Sequence, residues 1–169
     1  MKDKETAAMT ERTVAHSTFV IDRHYPVAPG RVFAAFADKA TKRRWCVEGD
    51  GFTIEEFEMD FRVGGRERSR FRFEGGSPVV CDVIYQDIVP DERIVFVYTM
   101  TAGDKRMSSS LTTIELLPSG SGTAMIFTEQ GAFFDDADGR PASEGWSPQE
   151  REHGCRGLLA QLAKELANV

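Results

Sequence analysis

The sequence predicts an α+β fold: a curved antiparallel β-sheet wrapped around one long C-terminal helix, with two short helices after the first strand. Three observations carry that prediction. Residues 147–169 show the three- and four-residue spacing of apolar positions that marks an amphipathic helix. Residues 52–130 break into short alternating runs separated by turn signals. The connections between those runs are too short for parallel crossovers, which need a dozen or more residues, so neighbours pair antiparallel.

The C-terminal helix has a well-marked start. Ser147 is placed as N-cap, Pro148 at the first helical position and Glu150 three residues on, which completes a capping box. Cys155, Leu158, Leu159, Leu162 and Leu166 then share one face. A helix of about 20 residues runs roughly 30 Å, enough to lie across a sheet. The face is not uniform. Leucines fill its C-terminal half, whereas Arg151, Glu152, Gly154 and Cys155 occupy the first turns. Dry packing is expected under the leucines and a more polar, less filled space under the first turns. The alternative is that Arg151 and Glu152 splay to solvent.

Composition bounds the function. With 169 residues, 41% hydrophobic residues, twelve Phe and two Trp, one folded domain is expected. We place a disordered tail at 1–11 and a single domain at 12–168. A net charge of −6 is a poor match to nucleic acid. The three cysteines, Cys46, Cys81 and Cys155, are widely spaced and fit reduced thiols of a cytoplasmic protein better than a disulfide framework or zinc site. No apolar run approaches the length of a membrane span, and the first residues lack the apolar core of a signal peptide.

In chain order, Thr13–His24 alternates as a first strand. Pro29 opens a short helix with Val32, Phe33 and Phe36 on its apolar face, and Asp38 caps a second one ending near Trp45. Lys42, Arg43 and Arg44 read as a solvated helix face. Strands follow at 52–61, 66–74, 79–89, 93–101, 105–117 and 122–130, with turns at Gly64-Gly65, Gly75-Gly76, Pro90-Asp91, Gly103-Asp104 and Gly120. A three-residue loop at 62–64 would oppose Asp60 to Arg66, Glu58 to Arg68 and Glu56 to Arg70, an outward ladder of opposite charges. The other face carries Phe57, Met59 and Phe61 against Phe71 and Phe73.

A curved sheet around one helix leaves a tunnel unless large side chains fill it. Inward candidates are Phe57, Met59, Phe71, Phe73, Phe96, Tyr98, Met107, Leu111 and Phe127, although alternation does not say which face is inward. Phe33, Phe36, Trp45, Trp146, Glu129, Arg151 and Cys155 complete the candidate ligand-binding set. Trp45 and Trp146 are placed at the rim, as stacking surfaces or as plugs. Glu129, if inward, could serve as an acid or base; the ordinary reading pairs it with a basic neighbour or leaves it in water at the strand end. Glu67 and Ser69 share the face of Phe71 and read either as pocket residues or as part of a charged edge strand. Ser108, Ser109 and Ser110 lack a nucleophile elbow and read as strand surface. The three histidines, His16, His24 and His153, have no metal-ligand spacing, so no metal and no cofactor is expected. The 131–146 segment, with Phe133 and Phe134, is a candidate lid or protein contact.

These residues, in order, resemble a known family. The run comprises Tyr25-Pro26-Val27-Ala28-Pro29, Val32-Phe33, Phe36, Asp38, Trp45 and Asp60-Phe61-Arg62-Val63-Gly64-Gly65. It continues with Asp87-Ile88-Val89-Pro90, Arg93-Ile94-Val95, Leu111-Thr112-Thr113-Ile114, Gly122-Thr123, Phe127-Thr128-Glu129-Gln130-Gly131 and Gly145-Trp146. The resemblance is to the activator of heat-shock protein 90 ATPase homologue family, within the START-like (SRPBCC, Bet v 1-like) superfamily, over about 12–168. It implies a helix-grip fold and offers no catalytic motif to carry over. Its relatives include co-chaperone domains, lipid and hormone carriers and cyclase-like proteins. The expected function is therefore a non-enzymatic domain binding a small hydrophobic or amphipathic ligand, with a stress-related role. The alternatives are a co-chaperone-like protein modulating a heat-shock protein 90 ATPase, and a cyclase-like or hydrolytic enzyme using a cavity carboxylate. Expected partners are a small hydrophobic ligand or a chaperone, with no nucleic acid and no membrane; both a monomer and a homodimer remain open.

Overall fold

Turn chemistry closes the alternating runs into one sheet. The computed structural model describes residues 14–49, 51–134 and 147–168. Its strands are β1 (Ala15–Tyr25), β2 (Phe52–Met59), β3 (Arg66–Phe73), β4 (Pro78–Val89), β5 (Arg93–Ala102), β6 (Lys105–Ser119) and β7 (Gly122–Phe133). They form a seven-stranded sheet in the order β1-β7-β6-β5-β4-β3-β2, and each neighbouring pair is antiparallel. β2 to β7 is the expected meander. β1 closes the far edge on β7, with Ile21 opposite Phe127. Gly64, Gly75, Gly103 and Gly120 take positive φ in the tight turns, where a side chain would be strained.

Between β1 and β2 lie α1 (Pro29–Ala37) and α2 (Lys39–Lys42), the latter running into a π-helical turn at Arg43–Val47. Pro29 stands at the helix start, and the Asp38 side chain caps α2 by accepting from the Thr41 backbone N–H at 2.7 Å. α3 (Pro148–Ala167) begins with the expected capping box, in which Ser147 and Glu150 satisfy each other's backbone N–H groups. Asn168 is its C-cap, and the Asn168 backbone N–H donates to the Glu165 carbonyl.

α3 packs mainly against the π turn, β1 and α1. Leu159, Leu162 and Leu166 are each 4% exposed or less, and each contributes roughly 1.5–3 kcal/mol by burial. Leu158, expected on the same face, is 38% exposed. The Tyr25 hydroxyl donates to the Leu159 carbonyl at 3.1 Å and ties β1 to the helix. Burial pushes that phenol up to about 12, more than the nearby Arg23 charge lowers it.

The charged hairpin keeps its expected register, with Glu58 opposite Arg68 and Glu56 opposite Arg70. The ion pairs differ from the expected ladder. A bulge between Ile54 and Glu56 swings Glu55 onto Arg70 (2.6 Å) and Arg72 (3.1 Å). Arg68 takes Asp82 of β4, and Glu58 takes Lys39 of α2. The extra residue also restores the parity that keeps Phe52, Ile54 and Phe57 on the concave side. The tail at 1–11 and residues 135–146, including Trp146, lie outside the described residues.

Candidate functional site

Because α3 sits over β1 and the helix pair, its first turns stand away from the middle of the sheet. Below them opens a cavity of about 660 Å³. Its floor is the concave face of the sheet, where alternation brings Phe71, Val83, Phe96, Ile114 and Phe127 inward. Phe36, Trp45, Cys46 and Val47 of the helix pair and π turn form one wall, and Arg151, Gly154, Cys155 and Leu158 of α3 form the roof. Phe52 and Ile54 of β2, with Phe73 of β3, complete the lining on the open side. Leu158 and Phe73 are the large apolar residues that line the cavity and stay substantially exposed, which places the mouth between α3 and the β2–β3 edge.

Two buried ion clusters reach this apolar space. In the first, Lys42 Nζ sits 2.5 Å from Glu67 Oε2 and donates to the Tyr85 hydroxyl at 3.2 Å, while Tyr85 donates to the same carboxylate oxygen. Burial disfavours the Lys42 cation, yet the Glu67 carboxylate and Tyr85 more than offset it, so the ammonium titrates above its ordinary range. Burial likewise raises the Tyr85 phenol well above the usual range.

In the second cluster Arg151 reaches down from α3 to the floor. Its Nη1 donates to Glu129 Oε1 at 2.9 Å and to the Tyr98 hydroxyl at 2.6 Å; its Nη2 donates to Ser108 Oγ at 2.8 Å. The remaining Nη2 contact is to the Met100 sulfur at 3.0 Å, a weak acceptor. Tyr98 also donates to Glu129, and the Cys155 thiol donates to Glu129 Oε2 at 3.6 Å. Burial opposes the Arg151 cation, but Tyr98 and Glu129 outweigh it and the guanidinium stays charged. Glu129 is fully buried, with both oxygens engaged. Acid–base work at that carboxylate would have to break the ion pair first.

All three thiols border the same cavity. Burial pushes Cys46 up to about 11 and Cys81 up to about 12, and it raises Cys155 further. They are protonated near neutral pH and poor nucleophiles. No cluster of metal-ligating side chains occurs among the described residues.

The family model described as "Activator of Hsp90 ATPase homolog 1-like protein" matches residues 26–167. The chain belongs to this family. Among solved structures, the Mll3558 protein from Rhizobium loti is 57% identical, with a TM-score of 0.79, and the match covers 91% of this chain and 99% of that one. An uncharacterized protein from Rhizobium leguminosarum is 35% identical, with a TM-score of 0.84, covering 95% of this chain and 100% of that one. The AHSA1-like protein from Aeromonas hydrophila is 18% identical, with a TM-score of 0.65 over 89% of this chain and 92% of that one, and shows the shared fold alone. No curated protein matches the chain. The helix-grip architecture of this AHSA1-like domain is that of the START-like superfamily. No helix among the described residues is long and apolar enough to cross a membrane.

Of the residues singled out from the sequence, Phe36, Trp45, Phe71, Phe73, Phe96, Tyr98, Phe127, Arg151 and Cys155 line the cavity of this AHSA1-like domain. Trp45 is also a plug: its Nε1 donates to the Ala35 carbonyl at 2.9 Å, and its ring packs edge-on against Phe36. Glu129 lies just behind the lining, clamped by Arg151. Others do not reach the cavity. Phe33 packs on Phe61, while Phe57 and Met59 lie on the inner face away from it. Met107 occupies the bulge opposite Met100 and Thr101 and joins Val79 and Ala102 in a separate small core. Leu111 faces the other side of the sheet from its neighbours Ser110 and Thr112, which are buried.

That parity is where pattern reading failed. Ser108 and Ser110, expected on the strand surface, are 1% and 4% exposed because they supply hydroxyl acceptors to Arg151. Lys42, expected on a solvated face, is 6% exposed and bound to Glu67, which is itself buried and not part of a charged edge. The π turn continues α2 past Lys42, a change of local helical period that no alternation signal reveals. Phe133, offered as an exposed contact, is 1% exposed beneath the Arg151 guanidinium, since β7 runs three residues further than expected. Tyr85 was missed altogether, although it shares the strand face of Cys81 and Val83.

Proposed function

We propose that this AHSA1-like domain binds a small, largely apolar molecule between its sheet and the first half of α3. The observation that carries the reading is the cavity of about 660 Å³. That volume lies within the roughly 300–1,000 Å³ of pockets that enclose drug-sized ligands. Its lining is mostly aromatic and aliphatic, with a few fixed polar groups, the usual composition of such sites. An apolar occupant would gain the hydrophobic contacts that the floor residues lack on their open side.

Gly154 offers a direct test. It borders the cavity, and a Cβ built there meets nothing within 4 Å. Gly154→Trp should fold with near-normal stability and block the space. Binding of the neutral fluorophore N-phenylnaphthylamine should be saturable in the wild type and weakened about tenfold or more in the variant. Equal binding by both proteins, or no binding by the wild type, would sink the proposal. Native mass spectrometry of freshly purified protein would then show the mass of any co-purifying occupant.

A further inference from the structure

Two polar side-chain atoms on the cavity floor are open to the space and hold no partner. Glu67 of β3 borders the cavity, and its Oε2 takes both the Lys42 ammonium and the Tyr85 hydroxyl. Its Oε1 makes no hydrogen bond among the described residues. Nor is that oxygen sealed: among the described residues the partnerless side-chain atoms without accessible surface are Arg23 Nε and Thr112 Oγ1, and the Glu67 side chain keeps 9% of its surface. That surface faces the cavity, because Glu67 lies on the concave side of the sheet opposite Val83. Two positions along the same strand, Ser69 also borders the cavity. It is half-buried, and its hydroxyl likewise has no partner among the described residues.

The chemistry of these two atoms selects a ligand group. A carboxylate oxygen only accepts, so an occupant that covers Glu67 Oε1 must bring a donor or leave a buried, charged acceptor unpaired. A cation is a poor donor here, since Lys42 already balances Glu67 and a second cation would sit beside the first. An anion fares worse, because Lys42 and Arg151 are each committed, to Glu67 and to Glu129. A neutral hydroxyl suits both free atoms. Its proton goes to Glu67, and its oxygen accepts from Ser69, which an amide nitrogen cannot do. Same-face residues of a strand lie about 7 Å apart, close enough for two side chains to converge on one oxygen.

We infer that the ligand of this cavity is an uncharged alcohol or phenol whose hydroxyl donates to Glu67 Oε1 and accepts from Ser69, its apolar body lying on the aromatic floor. This deepens the binding proposal above and rests on it. The cluster of Lys42, Glu67 and Tyr85 is thus a receptor for a hydroxyl group as well as a tie between α2 and the sheet.

The test uses three probes of matched shape, naphthalenemethanol, ethylnaphthalene and naphthylmethylamine, each displacing N-phenylnaphthylamine from the full chain. Ethylnaphthalene is the most hydrophobic, yet it covers Glu67 Oε1 without a donor, so the wild type should bind the alcohol about tenfold more tightly. Naphthylmethylamine, a cation at neutral pH, should compete poorly. Ser69→Ala should weaken the alcohol about threefold and leave ethylnaphthalene unchanged. The triple variant Lys42→Met, Glu67→Leu, Tyr85→Phe removes the whole cluster and strands no partner. It should fold, because apolar residues replace a buried ion pair at little cost, and its preference for the alcohol should vanish. The inference is overturned if the wild type binds ethylnaphthalene or the amine as tightly as the alcohol, if Ser69→Ala leaves the alcohol unchanged, or if the triple variant keeps the preference. Should the triple variant not fold, the wild-type order and Ser69→Ala decide. If N-phenylnaphthylamine binds but none of the three probes displaces it, the hydroxyl inference falls and the binding proposal stands. If the fluorophore itself does not bind, both fall.

Discussion

Under its C-terminal half, α3 sets Leu159, Leu162 and Leu166 against β1, α1 and the π turn, all 4% exposed or less. Under its N-terminal half, Gly154 and Cys155 border open space, and Arg151, with the Cys155 thiol beside it on Glu129, spans the gap to the sheet. One helix thus rests on a dry core at one end and on a polar strut built around Arg151 at the other. The difference shows how a fold can keep a cavity open without giving up its stability. Burial is concentrated where no ligand goes, and over the cavity a hydrogen-bonded ion pair substitutes for packing.

The strut should be the more sensitive of the two. Arg151→Met leaves the fully buried Glu129 without its counter-charge, and we expect a loss of about 3–5 kcal/mol in urea unfolding. Adding Glu129→Gln should recover much of that loss, since the stranded charge is then gone. A single variant that loses less than about 1 kcal/mol would show that the cluster supports nothing.

The dry half should respond by cavity formation. Leu162 is fully buried, and Leu162→Ala should cost about 2–5 kcal/mol. N-phenylnaphthylamine affinity should hardly change, because the truncation lies outside the cavity. A large change in affinity would erase the distinction between the two halves.

Alkaline pH gives the smallest effect near neutrality and the one most specific to the cavity wall. Cys46 and Cys81 are raised by burial from 9.0 to about 11 and about 12, so above about pH 9 the unfolded chain loses these protons before the folded one does. Unfolding then releases protons, and stability falls as pH rises from about 9. Lys42 acts in the same direction: its raised value gives stability that is complete below its ordinary 10.5 and is lost as pH rises beyond it. Urea midpoints under reducing conditions should be flat from pH 7 to about 9 and decline above that. In the Cys46→Ala, Cys81→Ala double variant the decline should be shallower, with Cys155 still contributing from the same pH. An unchanged slope would place the cause elsewhere.

Much of the chain was legible before any coordinates. Ser147-Pro148-Gln149-Glu150 encodes a helix start, because a cap is a contact between residues three apart. Glycine turns and alternation encode the meander, and the offset of the charged hairpin follows from its loop length. The candidate site was legible only in part. The aromatic residues at Phe71, Phe96 and Phe127 could be named from their pattern, but Leu111 and Met107 were placed with them because alternation groups residues without orienting the group. Lys42 and Glu67 lie twenty-five positions apart, and nothing local marks either as the partner of the other.

By itself, then, the sequence determined the elements, their antiparallel order from β2 to β7 and the amphipathic character of α3, since each depends on residues close along the chain. Only the tertiary structure decided that Ser108, Ser110 and Thr112 face inward, that Arg151 turns toward Glu129 instead of water, and that space remains beneath Gly154. Those outcomes depend on how far the sheet curves before α3 meets β1, and on which buried charges find one another across that distance.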